Sequence, residues 1–278
     1  MKASKRPFFS IIVAVYNGAK DLPRCLQSVA AQTFSSRQLV VMDGGSTDGT
    51  VEILGKNNNL IDYWKSDVDR GIYHAWNKAL DHAEGEWICF LGADDRLLGT
   101  DALERMAGRL EAAYPRYRVV YGKVDYVNSQ GLVLDIKGKP WSHARRNFFS
   151  EMTLPHQGVL HHRNLFEEYG RFDESFRIAG DYEFLLRELK DRDALFVPEV
   201  HFAAMQVGGA SSSLEGAKAC LKEFARAREK HKVKPNTSKL AKSRTLLAFR
   251  KAGSRLFGPA FVDSLEAAAR NARRKLFG

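Results

Sequence analysis

Two aspartates, Asp94 and Asp95, stand side by side directly after the apolar run at residues 89–91. Carboxylates are hard oxygen donors, and Mg2+ or Mn2+ is commonly held by one or two of them with substrate phosphates completing the shell. A turn leading into a helix N-cap uses the same residue type, so the pair alone leaves both readings open. Asp43 opens the turn DGGSTDGT at 43–50. That turn is neither G-x-G-x-x-G nor G-x-x-x-x-G-K-S/T. Its acidic first residue suits accepting a hydrogen bond from a nucleobase imide or a ribose hydroxyl better than holding phosphate. Asp48 in the same turn reads as the N-cap of the next helix, and Asp181 in AGDYEFLLR reads likewise. His161 and His162 are adjacent in a predicted strand, so they face opposite ways and do not chelate one ion together. His201 is open to two readings, a third metal ligand or a buried structural histidine.

Such residues need a scaffold, and short apolar runs alternate with helix-period segments through the first half. Strands are predicted at 8–16, 38–42, 60–64 and 86–91. Helices are predicted at 21–32, from near Asp48, and at 72–83, the last with Ile72, Trp76, Ala79, Leu80 and Ala83 in one stripe. Near-continuous apolar strands alternating with helices mean βαβ units and an α/β fold with a mostly parallel sheet. Ligands bind such sheets beyond the carboxyl ends of the strands. Tyr16 and Asn17, the 43–50 turn, the 66–71 segment with Asp69, and Asp94 and Asp95 all follow strands and gather along that edge.

A hairpin turning at 128–131 is expected within 119–136. Residues 137–150 show weak periodicity and read as a mobile loop whose Lys139, Arg145 and Arg146 could reach a diphosphate. A helix ending at Gly170 follows, then one opening at Asp181 with Phe184, Leu185, Leu186 and Leu189 inward, then apolar runs at 194–198 and 201–212.

The net charge of +10 is concentrated late: from residue 218 onward 17 Lys and Arg stand against four acidic residues. Three predicted helices there (215–231, 238–251 and 259–277) mix basic residues with Leu246, Leu247, Phe249, Phe257, Phe261 and Leu265. A basic amphipathic stretch reads as an anionic-membrane element, with a solvated extension or an oligomer contact as alternatives. Nucleic acid shares the electrostatic footprint, but no nucleic-acid motif is present and the acidic edge repels phosphates. The three cysteines form no C-x-x-C pair, against a thiolate metal site or a disulfide framework and in keeping with a reducing cytoplasm. The run at 8–16 mimics a signal peptide, yet its β-branched residues and the Asn17-Gly18 turn read as a first buried strand. No stretch approaches the ~20 apolar residues that span a bilayer.

Taken in order, IIVAVYNGAKDLPRCLQSVAAQTF, VVMDGGSTDGT, SDVDRGIYHAWNKAL, GEWICFLGADD and LPHQGVLHHRNLFEEYGRFDESFRIAGDYEFLLR resemble the family 2 glycosyltransferases of the GT-A fold, in the bacterial surface-polysaccharide type. The resemblance runs over residues 8–209. It implies that Asp43 binds the nucleobase, usually uracil, with Gly44 standing where many relatives have a second Asp. It implies Asp94 towards the ribose and Asp95 on a divalent cation, Mn2+ or Mg2+, bridging the diphosphate. Asp69, Tyr16 and Asn17 are expected in the nucleotide-sugar pocket, and His156 and Gln157 near the acceptor. Asp181 matches the general base of inverting members, with Gly180 where many relatives have Glu. At a helix start the positive end of the dipole favours its ionised form.

The implied protein is a GT-A catalytic domain over 1–214, with a nucleotide-sugar half to about 97 and an acceptor half after it, plus a basic tail at 215–278. Its implied activity is hexosyl or N-acetylhexosaminyl transfer from a UDP-sugar to a glycan or lipid-linked acceptor, on the cytoplasmic face of the inner membrane. A sugar-1-phosphate nucleotidyltransferase would carry a basic Gly-rich loop where this chain has AVYNGAKD. The rival from another class is a non-catalytic scaffold or nucleic-acid-binding protein.

Overall fold

The computed structural model describes residues 6–209 and 213–257. The first half alternates β1 (Phe9–Val15), α1 (Leu22–Ala30), β2 (Arg37–Asp43), α2 (Thr50–Lys56), β3 (Tyr63–Ser66), α3 (Ile72–Leu80) and β4 (Trp87–Gly92). These four strands pair in parallel in the order β3-β2-β1-β4, so their carboxyl ends align. The sheet is buried on both faces, which explains the continuous apolar runs. Ile11 and Val13 join the layer under α1, while Ile12, Met42 and Phe90 join the layer with Trp76 of α3.

The second half comprises β5 (Arg96–Leu97), α4 (Ala102–Ala113), β6 (Val119–Val127), β7 (Val133–Lys137), α5 (Trp141–Phe148), β8 (Val159–His162), α6 (Asn164–Tyr169), α7 (Gly180–Leu189) and β9 (Leu195–Gln206). Helices α8 (Leu214–Lys230) and α9 (Thr237–Phe257) follow. β8 lies antiparallel between β4 and β6, whereas β6 and β9 run parallel, so the sheet is mixed beyond β4. The hairpin joining β6 and β7 turns at Asn128, whose carbonyl accepts from Gly131 N at 2.9 Å.

Four local expectations change. The predicted mobile loop at 137–150 contains helix α5, anchored by buried Trp141, Ala144 and Phe148. Those anchors follow helical spacing, but polar and basic residues between them dilute the pattern. The buried stripe of α3 runs through Tyr73, Trp76 and Ala79, with Ile72 39% exposed. Gly49, at φ +97°, is the N-cap of α2, and Ala179 is the N-cap of α7, so neither Asp48 nor Asp181 holds that position. The first predicted tail helix, α8, packs on α7 and buries Ala227 and Arg228. The third predicted tail helix lies outside the described residues.

Candidate active site

The loops after β1 and β2 clasp each other. Asn17, at φ +50°, accepts from Thr47 N through Oδ1 at 2.9 Å and donates its own N–H to Ser46 Oγ at 2.7 Å. Asp48 accepts from Ala19 N at 3.0 Å and from Thr50 N at 3.1 Å. Asp43 lies beneath this clasp at 2% exposure. Its carboxylate accepts from Gly45 N at 3.1 Å, Ser46 N at 3.0 Å, Ser66 Oγ at 2.6 Å and the Ser46 hydroxyl. These fill the roughly four acceptor sites of a carboxylate, so Asp43 organises the loop from within.

Asp69 accepts from Gly71 N at 2.8 Å. A Cβ on Gly44 would stand 2.7 Å from Asp69 Oδ2 and 3.4 Å from Tyr16 Cδ2, so an aspartate at 44 would require the Asp69 carboxylate to move. Tyr16 itself is 67% exposed, leaving a ring face open at the edge of this pocket.

Asp94 and Asp95 fold back over the end of β4. A Cβ on Gly92 would meet Asp94 Oδ1 at 2.8 Å and Asp95 Oδ2 at 3.1 Å, so a larger residue there would push the carboxylates from this position. Asp95, 3% exposed, accepts from Gly92 N at 2.8 Å. Burial and then the Asp94 charge push its carboxyl up to about 7, against hydrogen bonds from Gly92, the Gln157 side chain and the Gln206 backbone. Burial also raises Asp94. Hard oxygens crowded together and reluctant to ionise fit a divalent cation, which reverses both penalties.

Among the described residues no group of three or more His, Cys, Asp or Glu could hold a metal, so these two carboxylates would rely on ligands from the substrate. His201 turns its Nδ1 to Asp125 Oδ1 at 2.7 Å. His161 packs on Phe90 and Phe184, and His162 on Trp87 and Tyr114, so the adjacent histidines diverge.

Asp181 sits in the first turn of α7, partly exposed. Its Oδ1 accepts from Tyr182 N at 2.8 Å and lies 3.2 Å from the Tyr73 hydroxyl. Burial pushes the carboxyl up to about 6, opposed by those two hydrogen bonds and aided by the charge of Glu223. Tyr126 lies near the end of β6, partly buried against the core. Burial, then the charges of Asp95, Asp135 and Asp181, push its hydroxyl up to about 12.

Gln157 meets Asp95, but His156 lies in the core at 7% exposure, between Trp76 and Phe90 with ring centroids 5.2 Å and 5.8 Å away. Burial pushes its imidazole down to about 3. The ring is neutral and enclosed, and its Nε2 is buried without a hydrogen-bond partner among the described residues. Arg145 and Arg146 line a cavity of about 450 Å³ with Trp141, Phe149 and Asp193. Asp193 precedes the amino end of β9, so these cations stand away from the carboxyl edge.

Sequence reasoning missed Arg96 and Tyr73. Arg96 follows the aspartate pair directly, and its Nη1 is buried without a hydrogen-bond partner among the described residues. Tyr73 was hidden by the misplaced stripe of α3; its depth would have been legible from placing Tyr73, Trp76 and Leu80 at 0, 3 and 7 of the helix.

The mixed α/β sheet with acidic loops along its carboxyl edge matches the architecture of GT-A glycosyltransferases. Residues 10–162 match the family described as Glycosyl transferase family 2, and the chain belongs to that family. It is a glycosyltransferase, which sets aside the non-catalytic alternative. The chain is 35% identical over 188 residues to the PGL/p-HBAD biosynthesis glycosyltransferase of Mycobacterium bovis (strain BCG / Pasteur 1173P2), covering 65% of this chain and 69% of that one. Two solved structures share the fold. S. aureus TarS in complex with UDP-GlcNAc superposes with a TM-score of 0.61 at 21% identity, covering 79% of this chain and 72% of that chain. The mannosyltransferase PcManGT from Pyrobaculum calidifontis, in complex with GDP-Man and Mn2+, gives 0.55 at 20% identity, covering 97% and 88%. Among the described residues no helix is long and apolar enough to cross a membrane.

Proposed function

We propose that this glycosyltransferase takes a sugar from a nucleotide-sugar donor, UDP-linked, and transfers it with inversion to a glycan or lipid-linked acceptor in surface-glycan synthesis. The observation that carries this reading is the pair Asp94 and Asp95 crowded over Gly92 at the end of β4, with Asp95 buried at 3% exposure.

Tyr16, Asn17, Asp43 and Asp69 form the nucleoside pocket in this reading. Asp43 holds the loop, and contact with the base requires a Ser46 or Ser66 hydroxyl to turn away from it. Asp94 faces the ribose, and Asp95 is the protein ligand of a divalent cation, Mn2+ or Mg2+. When bound, that cation offsets negative charge on the leaving diphosphate. The unpartnered guanidinium of Arg96 adds a second positive group for the same oxygens. Asp181 accepts the proton of the acceptor hydroxyl, and because its hydrogen bonds run through Oδ1, Oδ2 is the receiving oxygen. A carboxyl titrating at about 6 remains ionised at neutral pH and is a stronger base than an ordinary one. Gln157, beside Asp95, lies towards the acceptor.

The nucleotide-sugar half extends through β5 to about residue 97, and the acceptor half follows it. In α9, Leu246 and Phe249 are 62% and 69% exposed within a segment that has no Asp or Glu. That chemistry suits the anionic surface of the inner membrane, reached from the cytoplasm, where a lipid-linked acceptor resides. No nucleic-acid partner is proposed.

The test is a screen of UDP-, GDP- and dTDP-sugars for thermal stabilisation and slow hydrolysis with Mn2+, Mg2+ or EDTA. Metal-dependent stabilisation by a UDP-sugar is expected. If no nucleotide sugar stabilises the protein with either ion, the proposal fails.

A further inference from the structure

The segment that delivers Asp181 is held by a helix far along the chain. The first N–H groups of a helix have no intrahelical acceptor, and Ala179 at the N-cap of α7 has no side chain to supply one. A carboxylate from α8 instead holds the three residues that lead into the helix. Glu223 Oε1 accepts from Arg177 N at 2.8 Å, and its Oε2 accepts from Ile178 N at 2.9 Å and Ala179 N at 2.8 Å. Three successive backbone N–H groups around one anion form a charge-assisted nest.

The other side of the segment is held by α3. The Tyr73 hydroxyl donates to Ile178 O at 2.7 Å and lies 3.2 Å from Asp181 Oδ1. Ile178 is therefore fixed by its N–H from α8 and by its carbonyl from α3. α8 is itself anchored further along. His231, at its end, contacts buried Glu183 at 2.7 Å, Lys230 reaches Glu183 at 2.8 Å, and Arg228 donates to the Ser150 carbonyl. Glu223 cannot slide without breaking these anchors.

We propose that Glu223 is a positioning residue for transfer, fixing residues 177–179 so that Asp181 meets the acceptor hydroxyl. The inference rests on reading Asp181 as the proton acceptor. Glu223 also has an electrostatic effect. A helix N-terminus stabilises an anion and so weakens a carboxylate base. The negative charge of Glu223 works against that effect, raising the Asp181 carboxyl by like-charge repulsion.

The test uses the full chain with UDP-N-acetylglucosamine and UDP-glucose as hydrolysis probes in Mn2+, across pH 5 to 9, with UDP binding measured alongside. Glu223→Gln keeps the shape but loses the charge, and opposes an amide NH2 to backbone donors. It is expected to bind UDP as wild type does, to lose roughly 10- to 100-fold in kcat, and to move the acid limb of the rate to lower pH. Glu223→Asp, which retains the charge, is expected to recover part of the rate. Wild-type kcat and acid limb in Glu223→Gln overturn the proposal. Parallel loss of UDP affinity and kcat also overturns it, because that pattern marks a merely structural role. Asp181→Asn separates the two readings: if it hydrolyses donor at the wild-type rate, the base assignment itself fails, whereas an inactive Asp181→Asn beside a normal Glu223→Gln condemns only the role of Glu223.

Discussion

Gly180 offers a sharp test of how the base is packed. Ordinary reasoning about helices favours alanine there, since Ala exceeds Gly by up to about 1 kcal/mol in a helix interior and by less in the first turn. Gly180 opens α7, and its φ is not in the left-handed region. Space decides otherwise. A Cβ at 180 would stand 2.8, 2.9 and 2.9 Å from Cε2, Cδ2 and Cζ of Tyr73, where ordinary contact is about 3.5 to 4.0 Å. The ring cannot easily retreat: Tyr73 is 4% exposed and packed against Trp76 and Phe172 at centroid distances of 5.5 and 5.7 Å. Overpacking of this kind costs about 1–3 kcal/mol, so Gly180→Ala is expected to destabilise by roughly 1–2 kcal/mol after the propensity gain. Displacing the ring also pulls the Tyr73 hydroxyl from Ile178 and Asp181, so kcat is expected to fall more than stability alone explains. The assay is urea denaturation with donor hydrolysis, repeated in a Tyr73→Leu background, where alanine at 180 becomes neutral or favourable. An alanine that stabilises the wild-type background, as propensity alone would have it, refutes the steric argument.

Two further outcomes follow from other parts of the molecule. Glu183 is fully buried; burial alone would raise its carboxyl, but His231, Arg187 and Lys230 hold it down at about 2, against 4.5 unfolded. A depressed carboxyl contributes stability above the unfolded value and loses it as pH falls from 4.5 through about 2, here on the order of 2–3 kcal/mol. Glu183→Gln is therefore expected to be destabilised at pH 7 and to converge on wild type only as the pH falls to about 2; a pH-independent difference in urea midpoints contradicts this. For the tail, pelleting with phosphatidylserine-containing vesicles is expected at low salt and lost in 0.5 M salt, at about 1 kcal/mol for each Lys or Arg near the surface. Binding that ignores salt and survives removal of residues 237–278, which leaves α8 in place, contradicts membrane docking through this segment.

Much of the nucleotide side was legible because its signals are local. β1, β2 and β4 each centre on an apolar run, as buried parallel strands do regardless of distant context, whereas β3, the edge strand YWKS at Tyr63–Ser66, lies three residues beyond the start of the run predicted at 60–64. The placement of Asp94 and Asp95 followed from the strand before them, but the need for Gly92 beneath them did not, since it depends on carboxylates folding backwards. Helix α3 was found with its stripe misplaced, because Ile72 and Tyr73 are both apolar enough to lead it. Helix α5 was missed because its three anchors are separated by basic and polar residues that periodicity weighs as loop. Sequence spacing also hid the depth of His156, which only the rings of Trp76 and Phe90 create. The bond between Glu223 and the segment before Asp181 spans more than forty residues, so no local pattern reports it.

The central claim is that Asp95 and a divalent cation together hold a nucleoside diphosphate at the end of β4. The direct measurement is calorimetric titration of UDP into wild type and Asp95→Asn, each with Mn2+ and with EDTA. The account predicts Mn2+-dependent binding in wild type and loss of that dependence, with weakened affinity, in Asp95→Asn. Equal UDP affinity in all four titrations would contradict it.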